Sequence, residues 1–336
     1  MSKKILITGT SGFLGGALGQ HLRNLGHHVT GISRRKSREE SVDLHITHDL
    51  ANALPDNLGK FDVLFHAAAL ASPWASPKDF HRNIEQASQN IVDYVKKNNI
   101  PRLINISSTS VYYIMADQYD ISEETPLPKK SINQYAESKL AAENLILKNF
   151  SDALSIRPRA IYGPGDTVLL PRLLRAAKNG MLPKIIRKDG LSPHSDLIYI
   201  GNLVNILADA IDKNINGVIN VTDNNTVNTD ELLSDIFKKL KYPKPRFSLS
   251  VNTAMQVAKV AEFLSKTLAE WKEPAITQFG VSALVHSKTF NVDKMLSIFG
   301  APKYTTAQGV EAFIKWHEND NIICYNYVND GRGGEI

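Results

Sequence analysis

Lys3-Lys4-Ile5-Leu6-Ile7-Thr8-Gly9-Thr10-Ser11-Gly12-Phe13-Leu14-Gly15 decides how this chain folds. An apolar run ends in a glycine-rich turn, after which Ala17, Leu18, His21, Leu22 and Leu25 recur at helical spacing. The pattern reads as strand, turn and helix. Glycines there let the backbone bend sharply, approach a pyrophosphate and pack helix on strand, while the amides of the helix N-terminus face phosphate charge. The spacing is G-x-x-G-x-x-G, and Gly9, Ser11, Gly12, Phe13, Leu14 and Gly15 are the candidate phosphate-binding residues.

The second strand, His28 to Ile32, ends at Ser33-Arg34-Arg35-Lys36, about 20 residues beyond the glycines, where an NAD-binding unit usually carries an acid for the ribose hydroxyls. No acid stands there. Ser33, Arg34 and Arg35 offer donors for a 2′-phosphate, which favours NADP with NAD as the alternative; a solvated basic loop is the bland reading. Leu44 to Ile46 forms a short third strand, followed by Asp49 and Leu50, with Asp49 either accepting from an adenine amino group or sitting in a solvated turn. The buried-type strand Phe61 to His66 ends on Ala67, Ala68 and Ala69, small enough for a cofactor to pass over. Trp74, between Pro73 and Pro77, is either an aromatic wall for a substrate or a core residue. A helix from about Lys78 to Asn98 buries Ile84, Ile91, Val92 and Val95, leaving Asn83 and Asn90 as its polar residues.

The strand Arg102 to Ile106 runs into Ser107-Ser108-Thr109-Ser110-Val111-Tyr112. Ligands bind beyond the carboxyl ends of strands in open parallel sheets, so these hydroxyls suit a carbonyl or alcohol, although serines also end strands for turn reasons. Further on, Tyr135 and Lys139 stand four apart in the helical stretch Gln134-Tyr135-Ala136-Glu137-Ser138-Lys139 and share a face. An ammonium beside the phenol lowers its pKa, so Ser108, Tyr135 and Lys139 together supply an orienting donor, a proton carrier and a tuning cation.

TGTSGFLG at 8–15, HAAA at 66–69, SSTSVY at 107–112, YAESK at 135–139 and IRPRAIYGPGD at 156–166, in that order, resemble the extended short-chain dehydrogenase/reductase superfamily of the NAD-dependent epimerase/dehydratase type. The resemblance spans nearly the whole chain. It implies that Tyr135 is the catalytic acid/base, that Lys139 holds the nicotinamide ribose, and that Ser108 hydrogen-bonds the reacting oxygen. It also implies cofactor contacts from Asn83, Pro158 and Ile161; Ser107 is a further candidate cofactor contact, and Trp74, Thr109 and Tyr112 are the candidate substrate contacts. Segments 69–84, 157–183 and 273–295 look like the branch of 3β-hydroxysteroid dehydrogenases, sterol-4-carboxylate 3-dehydrogenases and 2-alkyl-3-oxoalkanoate reductases. That branch implies a hydride exchanged between nicotinamide and a secondary alcohol or ketone of a hydrophobic substrate. Tyr113 departs from the pattern, standing where many relatives carry Gly. A nucleotide-sugar epimerase or dehydratase and a non-catalytic cofactor sensor are the competing expectations.

The remaining features bound the expectation. With 336 residues, 43% hydrophobic and 22% charged, the chain is long enough for a Rossmann-type doubly wound α/β sheet, residues 1–165, with a smaller α/β substrate lobe, 166–325, that returns to the sheet, and a loose tail, 326–336. A net charge of +5 is spread among acids, so no nucleic-acid partner is expected. The single cysteine, Cys324, excludes a multi-cysteine metal site and an internal disulfide, and with the N-terminal Met1-Ser2-Lys3-Lys4 it points to the cytoplasm. The expected partners are a small hydrophobic substrate and a second copy of the chain. A stretch from Asn252 to Trp271 repeats Ala254, Val257, Ala258, Ala261, Leu264 and Leu268, with Lys259, Lys266 and Lys272 on other faces. Core packing or a dimer face is the favoured reading; a substrate cover and a membrane-surface helix are the others, the last weakened by Glu262 and Glu270.

Overall fold

The computed structural model describes the backbone of residues 1–329 and the side chains of residues 1–319. β1 (Lys4–Thr8) leads through the glycine turn into α1 (Phe13–Asn24), followed by β2 (His28–Ser33), β3 (Leu44–Thr47) and β4 (Val63–His66). One helical run then combines α2 (Pro77–Phe80), a π-helical turn over His81–Gln86 and α3 (Ala87–Asn98). β5 (Arg102–Ile106), β6 (Gln118–Ile121), α4 (Gln134–Asn149) and β7 (Leu154–Pro158) come next. Together with β12 (Gly217–Val221), all of these strands but β6 make a seven-stranded parallel sheet in the order β12-β7-β5-β4-β1-β2-β3. The order reverses beside β1, so the turn after β1 opens onto the crevice where such sheets bind ligands.

Alternation along the strands explains both faces. Ile5, Ile7, Val63, Phe65, Ile104 and Ile106 pack with Leu18 and Leu22 of α1 and with Leu203 and Leu207 of α6 (Ile200–Asp209). Leu6, Leu64 and Leu103 point the other way, onto Ile91, Val92 and Val95 of α3 and Ile146 of α4. Strands buried on both sides must be apolar at every position, which is why KILIT reads as a continuous run.

The rest of the chain builds over the carboxyl ends of these strands. β8 (Ile161–Tyr162) pairs with β11 (Ile198–Tyr199), and α5 (Leu170–Lys178) packs with α7 (Thr229–Lys239) and α11 (Thr306–Asn329) through Leu174, Phe237 and Phe313. β9 (Lys184–Ile186) pairs with β14 (Ser248–Ser250) beneath α8 (Val251–Leu268) and α9 (Gln278–Val285). β10 (His194–Ser195), β13 (Val227–Asn228), β15 (Lys288–Phe290) and β6 form a four-stranded sheet, and α10 (Asp293–Phe299) closes on the large one. Of the expected tail, 326–329 continue α11 and 330–336 lie outside the described residues. No helix among the described residues is long and apolar enough to cross a membrane.

α8 sits differently from its sequence pattern. It buries Ala254, Ala258, Glu262 and Ser265, while Val257, Val260, Phe263, Leu264 and Leu268 are exposed, Leu268 at 79%. Small residues face inward because the helix lies close on β9, β14 and α9, leaving no room for a branched side chain. Glu262 is tolerated inside because its carboxylate accepts from the backbone N and from Nε2 of Gln278, both at 2.7 Å. It therefore does not dilute the outer face, as the sequence suggested.

Candidate active site

The glycine turn is compact by necessity. Gly9 has a φ of +79°, and a Cβ there would sit 2.9 Å from Ala68 Cα; a Cβ on Gly15 would sit 2.3 Å from the Gly9 carbonyl oxygen. Gly12 caps α1 without any side-chain hydrogen bond, so the first amides of the helix keep their donors for another partner. Beneath the turn, His66 bridges Thr8 Oγ1 and Ser88 Oγ, each at 3.0 Å, and Thr8 Oγ1 also accepts from the Ala68 amide at 3.0 Å. Burial, with help from Lys139, pushes the His66 pKa down to about 3, so the imidazole is neutral. This His is therefore a brace between the first strand, the alanine turn and α3.

A cavity of about 1210 Å³ runs from this turn across the ends of β4 and β5 into the second lobe. Its walls include Gly9, Ser11, Gly12, Phe13, Leu14 and Gly15, then Ser33, Arg34 and Arg35, then Asp49 and Leu50. Ala67, Ala68, Ala69, Asn83, Ser107, Ser108, Thr109, Tyr135, Lys139, Pro158 and Ile161 line it as well. The structure thus gathers at one cavity every cofactor residue and all three catalytic residues expected from the sequence.

Several of these side chains have defined partners. Arg34 Nη1 donates to Asn83 Oδ1 at 3.1 Å, and Asn83, in the π-helical turn, donates back to Asp79 O at 2.8 Å. Asp49 is held by Arg82 at 2.5 Å and accepts from the Ala51 amide at 3.1 Å, which pulls its pKa below the usual range against the cost of burial. Ser107 and Ser110 have buried hydroxyl oxygens with no partner, so the site has polar capacity to spare for a ligand.

At the centre, Tyr135 starts the second position of α4, whose N-cap Asn133 accepts from the Ala136 amide at 2.9 Å. Burial raises the Tyr135 pKa, and a hydrogen bond with Ser108 offsets part of that rise. Lys139 contributes no lowering here, contrary to the expectation from spacing: its Nζ donates to the Ile106 carbonyl, and burial has brought its own pKa down to about 8. One turn further, buried Glu143 holds Arg157 through Nη2 and, at 3.0 Å, Nε, while the Arg157 guanidinium lies 4.8 Å over the Tyr112 ring.

Tyr112 and Trp74 do not reach the cavity. Tyr112 is buried behind it, with its OH bonded by Arg157 and donating to Asn220 Oδ1 at 3.2 Å. The 3₁₀ turn over Thr109–Tyr112 sends the next residue, Tyr113, to the cavity wall instead. Trp74 packs 5.7 Å from Trp271, with its Nε1 donating to Ser265 Oγ at 3.1 Å and Lys266 Nζ 5.1 Å over its ring. It fastens the 70–77 loop to the end of α8. Thr109 lines the cavity, but its hydroxyl is engaged by Pro158 O at 3.2 Å and Tyr113 OH at 3.1 Å.

Sequence reasoning noted Tyr113 only as a departure from the family pattern and passed over Glu143, Arg157 and Arg159. Glu143 alone carried a signal, lying four residues beyond Lys139 on the same helical face. Arg172, Arg187 and His194 are further basic side chains of the second lobe. The first pairs with Glu273 at 3.0 Å, the second with Asp117 and Asp189 at 2.8 and 2.7 Å, and the third is exposed. No group of three His, Cys, Asp or Glu among the described residues is placed to hold a metal ion.

A doubly wound parallel sheet with an open-amide glycine turn at its switch point defines a Rossmann-type dinucleotide-binding fold. Residues 5–222 match the NAD dependent epimerase/dehydratase family. The chain belongs to that family, and is an NAD(P)-dependent enzyme of the extended short-chain dehydrogenase/reductase type. A 2-alkyl-3-oxoalkanoate reductase of Shewanella oneidensis is 28% identical over 330 residues, covering 92% of this chain and 84% of the relative. A decarboxylating sterol-4-alpha-carboxylate 3-dehydrogenase of Candida albicans is 28% identical over 83% of this chain and 82% of its own. Among solved structures, a UDP-glucuronic acid 4-epimerase from Bacillus cereus in complex with NAD superposes with a TM-score of 0.71 at 22% identity, covering 94% of this chain and 99% of its own. At that identity the likeness concerns the fold.

Proposed function

We propose that this chain is an NADP-preferring oxidoreductase that exchanges a hydride between the nicotinamide and a secondary alcohol or ketone of a hydrophobic substrate. The observation that carries the reading is the continuity of the cavity: Ser108, Tyr135 and Lys139 lie between the glycine turn and a second-lobe wall that includes Leu169, Leu173, Leu233, Ile276 and Phe279. The glycine turn and the uncapped start of α1 fit a pyrophosphate, and the partnerless Ser107 and Ser110 hydroxyls fit a polar ligand beside them. Arg34 and Arg35, exposed at the end of β2 where an NAD-binding unit usually carries an acid, support NADP.

When bound, the nicotinamide supplies the hydride acceptor or donor. Tyr135 moves the oxygen-bound proton, Ser108 holds the reacting oxygen, and Lys139, released from Ile106, binds the nicotinamide ribose. Stabilising the developing charge by one such donor is worth about 3 to 4 kcal/mol. The relatives named as reductases and sterol dehydrogenases support an oxidoreductase over an epimerase, and the apolar wall supports a hydrophobic substrate. A homodimer in the cytoplasm belongs to the same proposal. The test is cofactor stoichiometry with long-chain 3-oxo, sterol and nucleotide-sugar substrates. A net change in nicotinamide absorbance with the first two is expected, whereas turnover of a nucleotide sugar with no net change identifies an epimerase and refutes the proposal.

A further inference from the structure

We infer that the outer face of α8 docks on an anionic membrane surface and that the cavity opens onto that surface. The docking goes beyond the proposed reaction and does not depend on it. Val257, Val260, Leu264 and Leu268 recur every third or fourth residue and so form one stripe, with Phe263 beside it; each is 45% exposed or more. The inward face of the helix is already complete. Ala254 and Ala258 pack with Val281 and Val285 of α9, and Glu262 is satisfied by Gln278. The stripe therefore adds nothing to the core of its own lobe, and an apolar surface gathered in one place is the mark of a face that meets something else.

The stripe leads to the cavity. Met181, Phe247 and Val257 are exposed and also stand in the cavity wall, so they mark its mouth. Val257 is the first residue of the stripe. A protein docked over this face would stopper the mouth. A lipid phase over it lets an apolar molecule pass into the cavity without crossing water.

Charge names the phase. Residues 241–272 carry six basic side chains, Lys241, Lys244, Arg246, Lys259, Lys266 and Lys272, against two acids. All six are exposed, whereas Glu262 is buried on Gln278, which leaves Glu270 as the one exposed acid of the stretch. The next acid, Glu273, is paired with Arg172. Lys259 stands four residues before Phe263 and Lys266 three after it, so both flank it on the helix surface. Lys266 Nζ also lies 5.1 and 5.4 Å over the rings of Trp74 and Trp271 at the end of α8. Lysine and tryptophan at the edge of an apolar helix face suit the level of lipid headgroups, with the stems in the apolar phase and the charges in water. Two copies paired through this face by a two-fold axis would set the same cations against one another, so a second copy is a poor cover. Anionic lipid is a good one, because each cation close to such a surface adds attraction.

The test is flotation of the full chain with vesicles of phosphatidylcholine alone and of phosphatidylcholine mixed with phosphatidylglycerol. The wild type should float with the anionic vesicles and not with the neutral ones, and high salt should weaken the binding. Leu264→Gln/Leu268→Gln should lower the partition coefficient at least about 10-fold, and Lys259→Gln/Lys272→Gln about 10- to 30-fold. All four side chains are exposed, so unchanged melting curves should show both variants folded, and the comparison of neutral with anionic vesicles needs no variant at all. No flotation with anionic vesicles, equal flotation with neutral ones, or full binding by Leu264→Gln/Leu268→Gln overturns the inference. Sedimentation of the protein alone tests the rival occupant: a wild-type dimer that Leu264→Gln/Leu268→Gln turns into a monomer assigns the face to a second copy and overturns the inference too. None of these outcomes touches the oxidoreductase reading, which cofactor stoichiometry decides separately.

Discussion

Replacing Glu143 by Gln should unsettle both the fold and the site. Glu143 is 1% exposed and holds Arg157 through both carboxylate oxygens, with Ser155 Oγ donating to the same carboxylate at 3.3 Å. Removing its charge leaves the Arg157 guanidinium buried without compensation, a loss of about 3–5 kcal/mol. For 336 residues at about 2.1 cal/mol/K each, the unfolding entropy is about 0.7 kcal/mol/K, so the midpoint should fall by about 4–7 °C. The same change removes the attraction that raises the Lys139 pKa, so that pKa moves further down from about 8. Lys139 then loses its proton at lower pH, and NADP⁺ affinity, measured by fluorescence titration from pH 6 to 9, should decline earlier than in the wild type. The double variant Glu143→Leu/Arg157→Met should recover much of the stability, because neither charge is left alone. A Glu143→Gln protein that melts within a degree of the wild type, with an unchanged pH profile of cofactor binding, would refute the reasoning.

Tyr135→Phe should lower kcat by at least about 100-fold while the dissociation constant for NADP⁺ stays within a few-fold, measured by steady-state kinetics and calorimetry. Gly15→Ala places a methyl 2.3 Å from the Gly9 carbonyl oxygen, so backbone must move, and cofactor binding should be lost before secondary structure is; an unchanged titration would contradict the geometry of the turn. His66 is neutral in the fold with a pKa of about 3 against 6.5 when unfolded. The unfolded chain therefore takes up the extra proton, and stability drops as pH falls through that interval, by about 2 kcal/mol at pH 5 and about 4 kcal/mol at pH 3. Urea titrations at pH 7 and 5 should show this drop, and His66→Gln should flatten it.

The sheet and its cavity were legible because their signals are local. Apolar strands bounded by glycine, alanine or serine put β1, β4 and β5 within a residue or two of their places, and helical spacing marked the stretches that form α1 and α4. The Tyr135 and Lys139 pair followed from the period of a helix. Failures came where a single residue's direction matters. Tyr112 and Tyr113 exchange roles because the chain takes a 3₁₀ turn, a half-step that composition does not encode. α8 faces inward with Ala254, Ala258 and Glu262 because close approach to its neighbours outweighed hydrophobicity. Arg159 and Lys288 meet across Tyr113 only after the second lobe has folded, and no pattern links residues so distant along the chain.

The placing of β12 and α6 has a consequence for synthesis. The sheet's outer strand beside β7 is residues 217–221, and the helix that covers α1's side of the sheet is residues 200–209. While the ribosome has released only the strands up to β7, one face of the sheet is bare around Ile104 and Ile156, and its edge has open hydrogen-bonding groups. The nascent nucleotide-binding half is then sticky, and its closure waits for the stretch that threads through the second lobe. The family match ends at residue 222, one position past that strand. The matched stretch thus ends with the strand that closes this edge of the sheet, while α10 still covers part of it.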